Sequence, residues 1–310
     1  MKQITNTILM IRPVQFRMNE QTAVNNYFME DIDLQNNAIN LKAQQEFDTF
    51  VDVLSNIGIE VIVIEDTPVP DTPDSIFPNN WISFHSDGTV VIYPMFAENR
   101  REERRDDILE ILEAKGFRIE NVMDYTSAEK EGLFLEGTGS ILMDRVNQKV
   151  YCALSDRAHE ELVIEFCEDF ECTPVIFTAY QSVNGERLPI YHTNVMICMG
   201  EAYAVICLDA IDDKKERKNV LDHLKQDGKE IIEITEEQMH HFAGNMLQVA
   251  GASDKRYLIM STSAYNSLRP DQISTLEKHN PIVHSPLDTI ETCGGGSARC
   301  MMAEVFLPRQ

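Results

Sequence analysis

The chain has 310 residues, of which 43% are hydrophobic and 25% charged, a composition typical of a globular protein with a sizeable core. Its net charge of −24 argues against a nucleic-acid partner, because no surplus of Lys and Arg is available to replace the counterions of phosphates. No apolar run reaches the roughly 18 residues of a membrane span, and the run before Arg12 is shorter than the apolar core of a signal peptide. These features, with seven cysteines and no Cys-x-x-Cys pair, predict a cytoplasmic protein with free thiols and no membrane partner.

The first predicted elements in chain order are a strand over residues 7–11 and an amphipathic helix over residues 41–57. Four later stretches share one layout, which is a small polar residue, a β-type run, a turn and a second β-type run. They begin at Asn80, Thr138, Asn194 and Asn245. Helical patterns follow them over residues 102–116, 156–168, 214–227 and 265–278.

A fifth unit fits at Cys300, where the following β-type run has no second strand before the sequence stops. Residues 7–11 could supply that strand by closing a ring. The unit starts lie about 55 residues apart, so that five units account for nearly all of residues 1–310. An ordinary α/β protein also alternates strands and helices, but polar residues at every unit start favour a ring in which they all face the centre. We therefore predict a single catalytic domain of five ββαβ-type repeats around a central site.

The stretch TCGGGSARC, which ends at Cys300, has three interpretations: a flexible tail, a phosphate loop, or a loop that presents the Cys300 thiol. Glycines allow backbone N–H groups to approach a developing charge, and Arg299 beside the thiol would favour the reactive thiolate. A phosphate loop is disfavoured because no helix of useful length follows. Redox sensing by Cys293 and Cys300 is a further alternative, and it predicts reversible formation of a disulfide.

A thiol nucleophile needs an acid–base partner, and two residues stand at equivalent places in other units. His192, in PIYHTNVM, precedes the third unit, and Glu136, in GLFLEGTGS, precedes the second. A carboxylate between apolar residues and a glycine is expected to be partly desolvated, which suits an acid, a base or a group that holds a cation.

The segments FLEG, YHTN and GGGSARC, in that order, resemble the guanidino-group-modifying superfamily of arginine deiminases, dimethylarginine hydrolases and amidinotransferases, in particular its citrulline-utilisation hydrolase branch. The resemblance covers essentially the whole chain. It implies a five-fold pseudosymmetric α/β propeller, the pentein fold, with no metal and no organic cofactor. It is also compatible with a homodimer.

The resemblance further implies the roles of three residues. Cys300 would attack the guanidino or ureido carbon to form a covalent intermediate. His192 would protonate the departing nitrogen and then activate water, while Glu136 would orient substrate nitrogens and His192.

The chain departs from arginine deiminases at two positions. There, Phe-x-Arg-Asp and His-x-Asp motifs each supply an aspartate that holds the guanidinium, whereas here the matching residues are Asn80 and Asn194. A carboxamide both donates and accepts hydrogen bonds, which suits the C=O and NH₂ of a neutral ureido group. The two asparagines thus favour a citrulline-like substrate over arginine.

The remaining candidates would bind the rest of an amino-acid substrate. By the same resemblance, Arg157 and one of Arg100 and Arg101 match arginines of the family, the first of which binds the substrate carboxylate. A solvated helix start is the alternative for the Arg100–Arg101 pair. Asn245 matches a Gly-Asn segment and caps the mouth of its strand.

We therefore predict a hydrolase that cleaves C–N bonds of a small guanidino or ureido amino acid, with citrulline going to ornithine, carbon dioxide and ammonia. The alternatives within this class are arginine deiminase-like, dimethylarginine hydrolase-like and amidinotransferase activities. A non-catalytic binding member of the fold is the alternative from another class, and the presence of all three catalytic residue types argues against it.

Overall fold

The computed structural model describes residues 2–30, 32 and 34–310. Within these residues, strands form five three-stranded sheets and one two-stranded hairpin. The strands are β1 (Thr7–Arg12), β2 (Glu60–Glu65), β3 (Ile82–Phe84), β4 (Thr89–Ile92), β5 (Asn121–Asp124), β6 (Ile141–Asp144), β7 (Lys149–Leu154), β8 (Thr173–Thr178), β9 (Tyr180–Val183), β10 (Glu186–Pro189), β11 (Ile197–Met199), β12 (Tyr203–Ile206), β13 (Glu230–Glu233), β14 (Leu247–Ala250), β15 (Arg256–Ser261), β16 (Ile282–Ser285) and β17 (Ala303–Glu304).

The α-helices lie mainly between the second and third strands of the sheets. They are α1 (Glu20–Ala23), α2 (Asn36–Asn56), α3 (Glu98–Arg101), α4 (Asp107–Ala114), α5 (Gly137–Ser140), α6 (Glu160–Asp169), α7 (Lys214–Gln226), α8 (Glu236–His240), α9 (Thr262–Ser267), α10 (Pro270–His279) and α11 (Asp288–Gly294). None of the helices in the described ranges is long and apolar enough to cross a membrane.

The five three-stranded sheets share one topology. They are β17–β1–β2, β3–β4–β5, β6–β7–β8, β11–β12–β13 and β14–β15–β16. In each sheet the first pair is antiparallel and the second pair is parallel. A parallel pair needs a crossover connection, which explains why one or two helices follow the second strand of every sheet. The predicted hairpins are confirmed.

The final strand pairs with the first strand of the chain, as predicted. In this antiparallel pair Ile8 lies opposite Glu304, and Leu9 lies opposite Ala303. Neighbouring sheets also contact through their first strands, β17 with β3, β6 with β11 and β11 with β14. The fold is therefore a mixed α/β fold in which several first strands lie side by side.

The core consists of apolar clusters between helices and sheets. Helix α2 buries one apolar stripe that includes Phe47, Phe50 and Leu54, as its periodicity predicts. The helix predicted over residues 102–116 begins only at Asp107, because the preceding residues form α3 and a turn that buries Arg100. The β9–β10 hairpin was not predicted.

Candidate active site

Short turns bring polar side chains to the starts of the first strands. The segments Pro78–Asn80 and Thr193–Val195 are 3₁₀ turns that precede β3 and β11, and the four-residue helix α5 precedes β6. Asn245 and Cys300 precede β14 and β17. Because first strands contact one another, these starts converge on one region of the molecule.

Two side-chain amides contact the sulfur of Cys300. Nδ2 of Asn245 lies 3.2 Å from Sγ, and Nδ2 of Asn194 lies 3.5 Å from it. The thiol belongs to a residue that is only 3% exposed. N–H donors interact more strongly with a thiolate than with a neutral thiol, so the arrangement suits a nucleophile.

The glycines before Cys300 form a tightly packed loop. Gly295, directly after α11, has a φ of 61°, and a Cβ added there would lie 2.5 Å from Nδ2 of Asn26. A Cβ on Gly296 would lie 3.0 Å from the ring of Phe77. Residues 293–303 are buried throughout, so the flexible-tail interpretation is wrong.

Arg299 does not act as expected. Its Nη1 donates to the carbonyl oxygen of Met302 at 2.8 Å, and its Nη2 lies 2.9 Å from Oε2 of Glu304. The side chain lines a different cavity from the one that Cys300 lines. The expectation that Arg299 favours the thiolate is not supported by this position, because its guanidinium is held by Met302 and Glu304.

His192 and Glu136 form a buried hydrogen-bonded pair, with Nε2 of His192 2.8 Å from Oε2 of Glu136. Burial opposes the charge of Glu136, but the nearby Arg157 and the hydrogen bond with His192 outweigh it and lower its pKa to about 2. Burial lowers the pKa of His192 to about 4, although Glu136 partly offsets it. Since an ionised carboxylate only accepts, Nε2 carries the proton and Nδ1 of His192 is the unprotonated atom.

Gly139 allows the surrounding side chains to approach one another. A Cβ at this position would lie 2.5 Å from Nδ2 of Asn80 and 2.7 Å from Nδ1 of His192. Only a residue without a side chain therefore fits between the first and third units.

Arg100 is the centre of a buried ionic cluster. Its Nε and Nη2 donate to the carboxylate of Glu103 at 2.8 and 2.9 Å, and its Nη1 donates to Oδ1 of Asn80 at 2.8 Å. Burial raises the pKa of Glu103 to about 8, although Arg100 opposes that effect. Nη1 also lies 3.8 Å from Oε2 of Glu136. The cluster thus connects Asn80 with the His192–Glu136 pair.

Arg157 approaches the same carboxylate from another side. Its Nη1 lies 3.7 Å from Oε2 of Glu136, while its Nη2 donates to the carbonyl oxygen of Thr22 at 2.8 Å and its Nε to Oδ1 of Asn25 at 3.0 Å. The guanidinium carbon lies 4.9 Å from the ring centre of Tyr191. Nη1 is therefore the part of Arg157 with donor capacity left for a ligand.

These residues surround a small cavity of about 10 Å³. It is lined by Thr22, Asn26, Asp74, Phe77, Asn80, Arg100, Arg157, Tyr191, His192, Gly294, Gly296 and Cys300. Glu136, Asn194 and Asn245 lie directly behind this lining, through their contacts with His192 and Cys300.

Arg101 was predicted as a possible substrate-binding residue, but it does not line this cavity. Its Nε and Nη2 donate to the carbonyl oxygens of Met95 and Phe96, and its Nε lies 3.6 Å from the carboxylate of Glu129. The expectation that Arg101 binds substrate is not supported by this position, because its guanidinium is held by the carbonyl oxygens of Met95 and Phe96. Arg100 takes the place at the cavity.

The residues that line the cavity include three that were not predicted from the sequence: Asp74, and Thr22 and Asn26 from the segment between β1 and α2. Oδ2 of Asp74 accepts hydrogen bonds from Asn19 and Thr22, while Oδ1 is buried without a hydrogen-bond partner in the described part of the chain. A carboxylate close before Asn80 was the available signal. Thr22 and Asn26 carried none, since their segment shows no periodicity.

No group of three or more His, Cys, Asp or Glu side chains with a metal-binding arrangement occurs among residues 2–30, 32 and 34–310. Cys293 and Cys300, both buried, are not joined by a disulfide.

The fold and this site together define a guanidino-group-modifying α/β enzyme, and comparison with known proteins agrees. Residues 12–307 match the family model of N,N dimethylarginine dimethylhydrolase, eukaryotic. The chain belongs to this family, and it is a hydrolase of the class that acts on guanidino C–N bonds. Among curated protein sequences, none matches it significantly.

Solved structures show the same fold at low identity. The apo structure of ArgZ, an arginine dihydrolase from the ornithine-ammonia cycle in cyanobacteria, superposes with a TM-score of 0.74 at 18% identity over 98% of this chain. The chain spans 41% of the length of that protein. The N-terminal domain of ArgZ bound to product matches over 99% of this chain and 100% of its own, with a TM-score of 0.72 at 18% identity.

A dimethylarginine dimethylaminohydrolase in an adduct with S-methyl-L-thiocitrulline also superposes, with a TM-score of 0.62 at 14% identity. The match covers 97% of this chain and 99% of that one. These likenesses show that the chain has the mixed α/β fold of the pentein structures.

Proposed function

We propose that the protein hydrolyses the ureido C–N bond of citrulline through a covalent intermediate on Cys300, giving ornithine, carbon dioxide and ammonia. The observation that carries this proposal is the state of Asn80. Its Oδ1 already accepts a hydrogen bond from Arg100. Because the amide is neutral, it offers no negative charge to balance a second guanidinium, that of arginine. A neutral ureido group avoids the repulsion between like charges that arginine would meet there.

The reaction begins with the thiol of Cys300. Nδ1 of His192 takes the thiol proton, and the sulfur attacks the ureido carbon while the donors on Asn194 and Asn245 stabilise the anionic sulfur before the attack. The C–Nδ bond then breaks, His192 gives its proton to the departing amine, and ornithine leaves a carbamoyl group on sulfur.

The second half of the reaction uses water. His192 takes a proton from water, the hydroxide attacks the carbamoyl carbon, and the C–S bond breaks to release carbamate and Cys300. Carbamate decomposes to carbon dioxide and ammonia. Glu136 stays ionised throughout, because it holds the Nε2 proton of His192 and stabilises the imidazolium that forms twice per cycle.

The amino-acid end of the substrate is bound by opposite charges. We assign its carboxylate to Nη1 of Arg157 and its ammonium group to the unpartnered Oδ1 of Asp74, since both atoms belong to residues that line the cavity. Arg100 has its donors engaged by Glu103, Asn80 and backbone oxygens, so its role is to position Asn80 and the carboxylates.

Substrate entry requires the cover of the site to move. A cavity of about 10 Å³ holds no more than one water, whereas an amino acid is many times larger. The covering residues Thr22, Asn25 and Asn26 belong to the segment between β1 and α2 and are tied to Asp74, Arg157 and the glycine loop by hydrogen bonds. Opening would break these polar contacts, together with the ring contact between Phe28 and Tyr191.

We further propose that residues 1–310 form one catalytic domain in which the five sheets surround the site as a five-fold pseudosymmetric propeller. Two observations support it: the shared sheet topology and the pairing of β1 with β17. This arrangement explains why each first strand starts at the site.

A second candidate is hydrolysis of arginine, as in the arginine dihydrolase ArgZ. It is favoured by the free carboxylate oxygen of Asp74, which could hold a guanidinium instead of an ammonium group. Dimethylarginine hydrolysis, as the family model describes, belongs to the same alternative.

Purified protein incubated with citrulline, arginine, agmatine and methylarginines separates these candidates. We expect ornithine and ammonia from citrulline. Turnover of arginine equal to or faster than that of citrulline overturns the proposed specificity. No turnover of any of these compounds favours the non-catalytic alternative.

A further inference from the structure

A second cavity, which Cys300 does not line, lies at the other end of the first strands β6 and β17, although Thr138, which precedes β6, also lines it. It has a volume of about 20 Å³, and Arg145, Gln248, Arg299 and Glu304 are among its lining residues. Arg145 directly follows β6, Gln248 lies within β14, and Glu304 is the last residue of β17. The catalytic candidates precede these same strands.

Arg299 brings an unpartnered donor to this cavity. Its two terminal nitrogens are engaged by Met302 and Glu304, but its Nε is buried and has no hydrogen-bond partner among the described residues. The whole residue is 3% exposed. Leaving a charged donor buried without an acceptor is costly, so the site is built for an acceptor that the chain itself does not supply.

Arg145 supplies a second guanidinium. Its guanidinium carbon lies 4.0 Å from the ring centre of Phe306, and in the described part of the chain the group has neither a hydrogen bond nor an ion pair. The residue is 8% exposed. Burial lowers the pKa of Arg145, Glu304 partly offsets this, and the positive charge of Arg299 lowers it further. A buried arginine of this kind favours an anion beside it.

The other polar groups at the cavity are already satisfied. Gln3 donates to the carbonyl oxygen of Met143 and accepts from the backbone N–H of Arg145, and Gln248 bonds to Glu201 and Asn280. Two guanidinium groups therefore face one carboxylate, that of Glu304.

We propose that this cavity is a binding site for a small inorganic anion, a halide such as chloride, held between Nε of Arg299 and the guanidinium of Arg145. The size of the cavity limits the ligand, because a volume of about 20 Å³ accommodates one water-sized species and excludes phosphate or sulfate. The excess positive charge selects the anion over water.

The anion site is connected to the nucleophile through the backbone. The N–H of Arg299 donates to Oδ1 of Asn245 at 2.9 Å, and Nδ2 of the same amide lies 3.2 Å from Sγ of Cys300. An anion that fixes the Arg299 side chain also fixes the residue whose N–H orients Asn245. Bound chloride is thus expected to stabilise the loop that presents Cys300.

Crystals soaked in bromide test the site directly, because bromide has an anomalous signal. We expect one anomalous peak within hydrogen-bonding distance of Nε of Arg299 and the Arg145 guanidinium. A water in this cavity that bromide does not replace overturns the proposal. This readout needs no substrate, so it stays valid if the proposed hydrolase activity fails.

Thermal unfolding in solution gives an independent test. At constant ionic strength, replacing gluconate by saturating chloride should raise Tm of the full chain by about 2–4 °C. Arg145→Gln should abolish this rise, whereas Arg309→Gln should keep it. Arg309 is a matched control, since it also stacks on a ring, that of Phe117, but lies outside the cavity. An equal chloride effect in the two variants overturns the proposal, and if Arg145→Gln does not fold, the bromide peak decides.

Discussion

The buried arginines at the two ends of the first strands differ in how fully their donors are hydrogen-bonded. At the Cys300 end, Arg100 is saturated by Glu103 and Asn80, and Arg157 is held by Thr22 and Asn25. At the other end, Arg145 stacks on Phe306 without a hydrogen bond or ion pair in the described chain, and Nε of Arg299 is buried there without a hydrogen-bond partner. The first end is a network that fixes charges in place, while the second keeps donors available for an anion. We thus assign to the same strands a preorganised reaction site and a separate binding site.

Replacing the nucleophile gives the largest expected effect on the catalytic end alone. Cys300→Ser should lower kcat by a factor of about 10⁴ or more, because the hydroxyl is a far weaker nucleophile at neutral pH. The half-buried Cys172 provides the control, as Cys172→Ser should leave kcat within about twofold of the wild type. Retained turnover in Cys300→Ser would remove the covalent mechanism.

Removing the charge of Glu136 should disrupt the buried network at the Cys300 end, in which this carboxylate contacts His192 and lies near Arg100 and Arg157. In Glu136→Gln the imidazolium of His192 loses its counter-charge, and we expect kcat to fall by about 10²–10⁴. Breaking a buried ionic network should also lower the free energy of unfolding by about 3–5 kcal/mol. Steady-state kinetics and denaturant unfolding measure the two effects, and a change in KM with unaltered kcat contradicts the assigned role.

The pH dependence of stability sharpens the contrast further. The pKa of His192 is about 4 in the folded protein, below its ordinary value of 6.5, so the unfolded chain binds the proton first as the pH falls. Relative to His192→Gln, the wild type should lose stability between pH 6.5 and pH 4, by on the order of 3 kcal/mol. Urea unfolding of both proteins across this range measures the difference. A difference that is constant with pH contradicts a buried neutral histidine.

Asp74 should show the smallest of these effects, because we assign it to the ammonium group, away from the reacting bond, and an asparagine oxygen can still accept the hydrogen bonds of Asn19 and Thr22. Asp74→Asn should raise KM for citrulline by about 10–100-fold with a small change in kcat, as expected for a lost ionic contact with the ammonium group. For a citrulline analogue without the α-amino group, KM should be the same for Asp74→Asn and for the wild type. Arg101→Gln serves as the control. Arg101 is next to Arg100 in the chain but lies outside the cavity, so this substitution should leave KM unchanged.

Much of the fold was predictable because each unit repeats the same sequence pattern, which follows from the way its strands pair. Antiparallel hairpins carry turn residues, and the parallel third strand needs a helical crossover, so strands and helices recur at regular spacing. The pairing of β17 with β1 followed from the missing strand of the last unit. The β9–β10 hairpin breaks the repeat and left no signal of its own.

The convergence of the candidate residues was predictable where a residue stands at or just before a unit start, as Asn194, Cys300 and His192 do. It was not predictable where contacts depend on side-chain direction. Arg100 and Arg101 are adjacent on one short helix, and only packing decides that the first turns inward to Glu103. The Arg299 side chain donates hydrogen bonds to acceptors close to it in the chain, such as the carbonyl oxygen of Met302.

The central claim is a covalent carbamoyl intermediate on Cys300, and acid-quenched turnover of citrulline followed by mass spectrometry tests it most directly. We predict that the peptide containing Cys300 gains the mass of one carbamoyl group during turnover, and that Cys300→Ser shows no such gain. Continued release of ornithine with the Cys300 peptide unmodified at every quench time contradicts the account.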